Sequence, residues 1–141
     1  MAFEPLEASV TLINDRIKFT GTAGDNPPVT IDYTPPIGDG EGYTSLQLFL
    51  VSLASCSGSS VALLLRRYRK TVSGLTVTAR GIRRETHPTG FTRVDLTFAI
   101  TSPDVTDADM EKAVRMSEET FCPVWAMLKT TVKVTWTCEV G

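Results

Sequence analysis

Alternation and periodicity divide the chain into strand-like and helix-like runs. Residues 7 to 14 (Glu-Ala-Ser-Val-Thr-Leu-Ile-Asn) and 16 to 22 (Arg-Ile-Lys-Phe-Thr-Gly-Thr) read as strands, with a hairpin turn at Asn14-Asp15 and with Ile17 and Phe19 on one face. A third short strand, 29 to 33, runs into a loop rich in Pro and Gly over residues 35 to 42, which no helix would survive. From about residue 45 to 70 the period changes. Leu46, Phe49, Leu50 and Leu53 fall at i, i+3, i+4 and i+7, and Val61, Leu64, Leu65 and Tyr68 continue the apolar side of a long helix. The middle of that helix, residues 54 to 60, is almost entirely small; this lowers helix propensity but lets another backbone approach closely.

Beyond the helix, residues 75 to 80 and 93 to 100 alternate apolar and polar, and the Thr-His-Pro-Thr-Gly segment at 86 to 90 turns the chain between them. Thr106 and Asp109 predict a capping box, opening a helix whose packed face is Met110, Ala113, Val114 and Ser117 and which stops near Thr120. Cys122 precedes Pro123, a pairing that puts the cysteine at an N-cap and the proline at the first position of a short helix over 124 to 129. A strand over 132 to 140 closes the chain. Separated runs of strands and helices in this order predict a single α+β domain over residues 1 to 141 rather than a parallel α/β sheet.

Composition narrows the partners. Hydrophobic residues at 42% and charged residues at 21% are ordinary for a folded domain and exclude disorder. A formal charge of -2 leaves no basic field for a phosphate backbone, so no nucleic-acid partner is expected. The acidic N-terminal residues do not suit a signal peptide, and no apolar run is expected to approach the length of a membrane span; the expected location is cytoplasmic, with no membrane. The basic run Arg66, Arg67, Tyr68, Arg69 and Lys70 suits the negative end of the long helix better than an anion site.

Three cysteines make an odd number with no CxxC pair, so free thiols are expected. A zinc site would have to gather Cys56, Cys122, Cys138 and His87 from four distant places, and no GxGxxG opens a helix after a strand; neither a metal nor a nicotinamide or flavin cofactor is expected. Cys122 has a setting that favours thiolate, a helix N-terminus. Cys56 lies inside the long helix beside Ser52, Leu53, Ser59, Ser60 and Leu63; on local grounds it reads as a small buried core residue. Cys138, in an alternating strand, reads as structural, and His87 as a solvated loop residue.

The segment from Gly42 through Thr44, Ser45, Leu46 and Gln47 to Ala54-Ser55-Cys56 resembles the OsmC/Ohr pattern in which a Pro and a Glu open a helix that reaches a small-small-Cys step. Residues 75 to 81, Arg83-Arg84-Glu85 and Phe91-Thr92-Arg93-Val94 extend the likeness, and Phe121-Cys122-Pro123-Val124 is similar to the family's second-cysteine motif. The resemblance implies an OsmC-like fold, an antiparallel sheet with a long central helix, in an intertwined homodimer with its sites at the subunit boundary. It implies a peroxidatic Cys56 that attacks the distal oxygen of an organic hydroperoxide, a resolving Cys122 that closes a disulfide, and an external dithiol that resets the pair.

In the family an N-terminal Arg and the helix-opening Glu hold the attacking thiolate; by resemblance these are Arg16 and Gln47 here, with Glu41 as the alternative carboxylate. Ser45 replaces the usual Pro, and Gln47 brings an amide where the family has a charge. Phe49, Leu53 and Trp125 are the expected lining for a substrate's alkyl group. Two other readings stand beside the reductase: a noncatalytic relative binding a small apolar ligand, favoured by Gln47, and a redox sensor in which Cys56 and Cys122 record oxidation.

Overall fold

The computed structural model describes residues 2–141, which fall into two compact units, one ending at Leu48 and the other running from Phe49 to Gly141. The first unit is a three-stranded antiparallel meander of β1 (Ser9–Leu12), β2 (Phe19–Thr22) and β3 (Val29–Ile31). The first hairpin is wider than a two-residue turn at Asn14-Asp15. Ile13 N–H reaches Lys18 C=O at 2.9 Å, and Asn14 Oδ1 accepts the N–H groups of Arg16 and Lys18 at 3.0 and 3.1 Å, so residues 13 to 18 form an Asn-organised loop that takes Ile17 out of the strand.

The Pro- and Gly-rich loop that follows β3 is built around Asp32. Its carboxylate, almost fully buried, accepts the N–H groups of Tyr33 at 2.7 Å, Asp39 at 3.2 Å and Glu41 at 3.1 Å. Gly38 packs so close beneath this carboxylate that a Cβ would lie 2.2 Å from Tyr33 O, which restricts the position to glycine. Tyr43 then returns to β3 through a parallel bridge with Ile31.

The long helix, α1 (Ser45–Arg67), opens with a reciprocal cap in its first turn, Thr44 against Gln47, that belongs to the first unit. Its end is a Schellman motif. Arg69 takes φ 62°, Arg69 N–H bonds Arg66 C=O at 3.0 Å, and Lys70 N–H bonds Leu65 C=O at 2.9 Å. The basic run therefore does terminate the helix, and Lys70 goes on to bond Asp104 C=O and to pair with Asp109 at 3.3 Å.

Contrary to the expectation that no apolar run approaches a membrane span, α1 is long and apolar enough by length and composition to cross a bilayer. Ser, Gly and Ala in its middle do not interrupt an apolar window, because their transfer preferences are close to neutral. Here Leu53, Ser57, Gly58, Val61, Leu64 and Leu65 of this helix are buried. A core helix passes the same compositional test as a membrane span.

The second sheet has the order β4 (Gly74–Arg83), β5 (Phe91–Thr101), β6 (Lys133–Val140). β4 and β5 are an antiparallel hairpin, whereas β5 and β6 are parallel, so this sheet is mixed rather than wholly antiparallel. A parallel neighbour requires a crossover. That crossover is α2 (Asp107–Met116), a π-helical turn (Ser117–Phe121) and α3 (Pro123–Leu128). One face of β5, Val94, Leu96, Phe98 and Ile100, is buried with Leu53, Val61, Leu64 and Leu65 of α1, Met110, Ala113 and Val114 of α2, and Trp125. At about 1.5–3 kcal/mol for each large apolar side chain fully removed from water, this cluster is the main source of the unit's stability. Gly58 lets α1 settle on β4: a Cβ there would stand 3.0 Å from Val77 Cγ2.

Candidate functional site

Cys122 is placed by three local features. The π-helical turn before it carries the Cys122 N–H to Ser117 C=O at 2.8 Å, closing an i to i−5 bond. The residue itself is extended (φ -92°, ψ 103°), as an N-cap requires, and Pro123 occupies the first helical position, where no N–H is needed. Its Sγ then accepts the backbone N–H of Trp125 at 3.4 Å. The result is a sulfur fixed at a helix start and buried to 2% exposure.

Cys56, in the middle of α1, is brought against this residue. The Cys122 side chain and the backbone N–H of Val124 are the polar groups that act on its thiol. Ser57, the next residue on the helix and fully buried, places Oγ 3.4 Å from Cys122 Sγ. Thus two cysteines far apart in sequence meet as free thiols, one half-buried and one buried. Cys138 is apart from them on β6, where burial and the charges of Asp107 and Glu111 push its thiol above the ordinary value and keep it protonated at neutral pH.

The electrostatics of Cys56 differ from those of an activated nucleophile. Burial pushes its thiol up, the hydrogen bond and charge of Cys122 push the same way, and the N–H of Val124 opposes them. Among the described residues no cation takes part in that balance.

Arg16 and Gln47 are both engaged within the first unit. The Arg16 guanidinium pairs with Asp39 and donates to Pro36 C=O, holding the 13–18 turn against the Pro- and Gly-rich loop. Gln47 Oε1 accepts Thr44 N–H at 2.9 Å while Gln47 N–H donates to Thr44 Oγ1 at 3.1 Å. Glu41 pairs with Lys18 at 2.6 Å. These three residues serve loop and cap structure, and among the described residues Arg16 and Gln47 form no bond with each other. The Thr-x-x-Gln spacing of residues 44 to 47 is the sequence signal of this cap.

Of the residues expected to line an alkyl pocket, Leu53 and Trp125 are fully buried in the core, because each fills the space under β5; Phe49 is the one that reaches solvent, packed at 6.0 Å between ring centroids against Phe91. A group of carboxylates, Asp32, Asp39 and Glu41, also clusters in the first unit. Arg16, Lys18 and the loop N–H groups already satisfy it. His87 lies in the exposed turn between β4 and β5.

Residues 38–137, which include Cys56 and Cys122, match the OsmC-like protein family. The chain belongs to that family. Protein YhfA of Escherichia coli strain K12 is 30% identical over 125 residues, covering 89% of this chain and 82% of the relative. A hypothetical protein from Aquifex aeolicus VF5 shares the fold at TM-score 0.86 and 27% identity, covering 99% of this chain and 98% of that one. An organic hydroperoxide resistance protein from Legionella pneumophila has TM-score 0.75 and 17% identity over 99% of this chain and 100% of its own, a likeness of fold alone. The α+β architecture with a long helix is therefore the OsmC-like fold.

Proposed function

We propose that this OsmC-like chain is a thiol-dependent reductase of small organic hydroperoxides in the cytoplasm, working as a homodimer and reset by an external dithiol. The observation that carries the reading is the unequal burial of two thiols that influence each other: Cys56 is half-buried, while Cys122 is buried. In the cycle the Cys56 thiolate attacks the distal peroxide oxygen, the O–O bond breaks, and the alcohol leaves with a proton; Cys56 becomes a sulfenic acid. Cys122 then attacks that sulfur, water departs, and the Cys56–Cys122 disulfide forms. Two thiols of the dithiol reductant take up the oxidation and restore both cysteines.

The homodimer is supported by the apolar surface that the chain leaves exposed, including Val51 and Leu63 on α1 and Val10 and Leu12 on β1. By the family resemblance, Arg16 is the candidate cation for the Cys56 thiolate and position 47 its orienting residue. The test is single-turnover reaction of the reduced protein with an alkyl hydroperoxide, followed by peptide mapping. The expected product is a Cys56–Cys122 disulfide with Cys138 free, absent in Cys56→Ser; a Cys56→Ser protein that consumes hydroperoxide as fast as wild type overturns the reading.

One observation favours a second reading, a redox sensor that records oxidation without turnover. The Cys56 thiol is pushed up rather than down, and Arg16 and Gln47 are engaged elsewhere in the first unit. A disulfide that forms with hydroperoxide but supports no multiple turnover with dithiothreitol would select it.

A further inference from the structure

Ser57 is the one buried serine of α1, and it does not satisfy its hydroxyl as its neighbours do. Ser55 Oγ donates to Ser52 C=O at 3.1 Å and Ser60 Oγ to Cys56 C=O at 3.1 Å, the usual back-bonding of a helical serine. Ser57 Oγ, at 0% exposure, instead meets Cys122 Sγ at 3.4 Å. Sulfur is a weak partner, and a buried hydroxyl without a good one costs more than the alanine that would fit the same space. The two groups at the Cys122 sulfur, Ser57 Oγ from α1 and Trp125 N–H from α3, come from different elements and hold it from two sides of the chain.

We propose that Ser57 is a positioning residue for disulfide closure: its hydroxyl holds the Cys122 sulfur at the place from which it attacks oxidised Cys56. This rests on the reading that Cys56 and Cys122 form a redox pair. In the closing step the S–S bond forms as the S–O bond of the Cys56 sulfenic acid breaks. The oxygen leaves as water with the Cys122 proton, the Cys122 sulfur is oxidised and the Cys56 sulfur reduced to the disulfide level, the organic hydroperoxide having supplied the oxidising equivalents. The hydroxyl accepts from the Cys122 thiol before the step and donates to its thiolate as the proton departs. Ser57 touches neither the hydroperoxide nor the Cys56 sulfur in this role.

The experiment compares wild type, Ser57→Ala and Ser57→Thr in two rapid-mixing series read by dimedone trapping and mass spectrometry. One uses tert-butyl hydroperoxide; the other uses diamide, which forms an adduct on Cys56 that Cys122 displaces as the hydrazine. In Ser57→Ala the first oxidation of Cys56 is expected to keep its rate. Closure is expected to slow roughly three- to tenfold, the scale of one hydrogen bond, with trapped intermediate accumulating. Ser57→Thr, which keeps the hydroxyl, recovers most of the closure rate. Closure unchanged in Ser57→Ala, or both steps slowed alike, overturns the proposal. Should hydroperoxide fail to oxidise the wild type, the reductase reading falls, and the diamide series still decides the role of Ser57.

Discussion

Gln47 and Thr44 hold each other: the Gln47 amide oxygen accepts Thr44 N–H while the Thr44 hydroxyl accepts Gln47 N–H. A glutamate at position 47 makes the same box with a charge that the helix N-terminus favours. Gln47→Glu is therefore expected to stabilise the protein by about 0.3–1 kcal/mol in urea unfolding. The same variant examines the proposed part of this position in activation. Faster single-turnover oxidation of Cys56 upholds that part, and a stability gain at unchanged rate leaves residue 47 a cap alone.

Cys56 should behave as a weakly acidic thiol. Its value is raised chiefly by burial, so the protonated form dominates at neutral pH and the nucleophilic thiolate grows in as pH rises past the ordinary thiol range. Iodoacetamide labelling of Cys56, followed by peptide mapping, is expected to accelerate about tenfold per pH unit from pH 6 to 9 without levelling. A plateau near pH 6 or 7 would mean that a cation reaches this sulfur in the assembled protein.

Arg69 pays for the helix stop with a left-handed backbone, φ 62°, that costs a side-chain-bearing residue roughly 1 kcal/mol. Arg69→Gly is expected to raise stability by about 0.5–1 kcal/mol, after the greater freedom of glycine in the unfolded chain is set against the relieved strain. Thermal unfolding would register this as a gain of a few degrees. A loss would show that the Arg69 side chain has a stabilising contact of its own.

Acid should loosen the junction after α1. Asp104 accepts Thr71 N–H at 2.8 Å and Asp109 accepts Thr106 N–H at 2.9 Å, and these bonds, aided by Lys70, hold both carboxylates below the ordinary value of 3.8. The native state therefore binds protons more weakly than the unfolded chain. The contribution to stability is complete above about pH 4 to 5, and falls as pH drops through 3.8 towards the native values. Asp104→Asn is expected to lower the urea midpoint at pH 6 and to flatten its decline between pH 4 and 2. An unaltered pH profile would remove Asp104 from this account.

What the sequence made legible was local. Thr106 and Asp109 lie three residues apart and form the capping box that their spacing predicts, and Cys122-Pro123 forms the N-cap and first turn that the dipeptide specifies. The resemblance pairs Cys56 with Cys122, and in the fold Cys122 is among the groups that act on the Cys56 thiol. Less legible were features whose partners are distant or whose geometry rests on one side chain. Asn14 widened the first turn through two bonds that a strand pattern does not encode. Ser57 read as one small residue among several, because its contact with Cys122 exists only once α1 and α3 meet. The parallel pairing of β5 and β6 was hidden for a related reason: alternation reports which face a residue takes, not which neighbour its strand chooses.

That parallel pairing also sets an order of assembly. β4 and β5 are joined by a short connection and can zip as a hairpin, but β6 finds β5 only after the whole segment between them has been organised. Closing the longer loop costs more chain entropy before any contact returns it, so the hairpin forms early and the last strand late. Cys122 lies inside that late segment. Cys56, on α1, lies outside that segment, so the surroundings that the fold gives its thiol are complete only when the crossover has been organised.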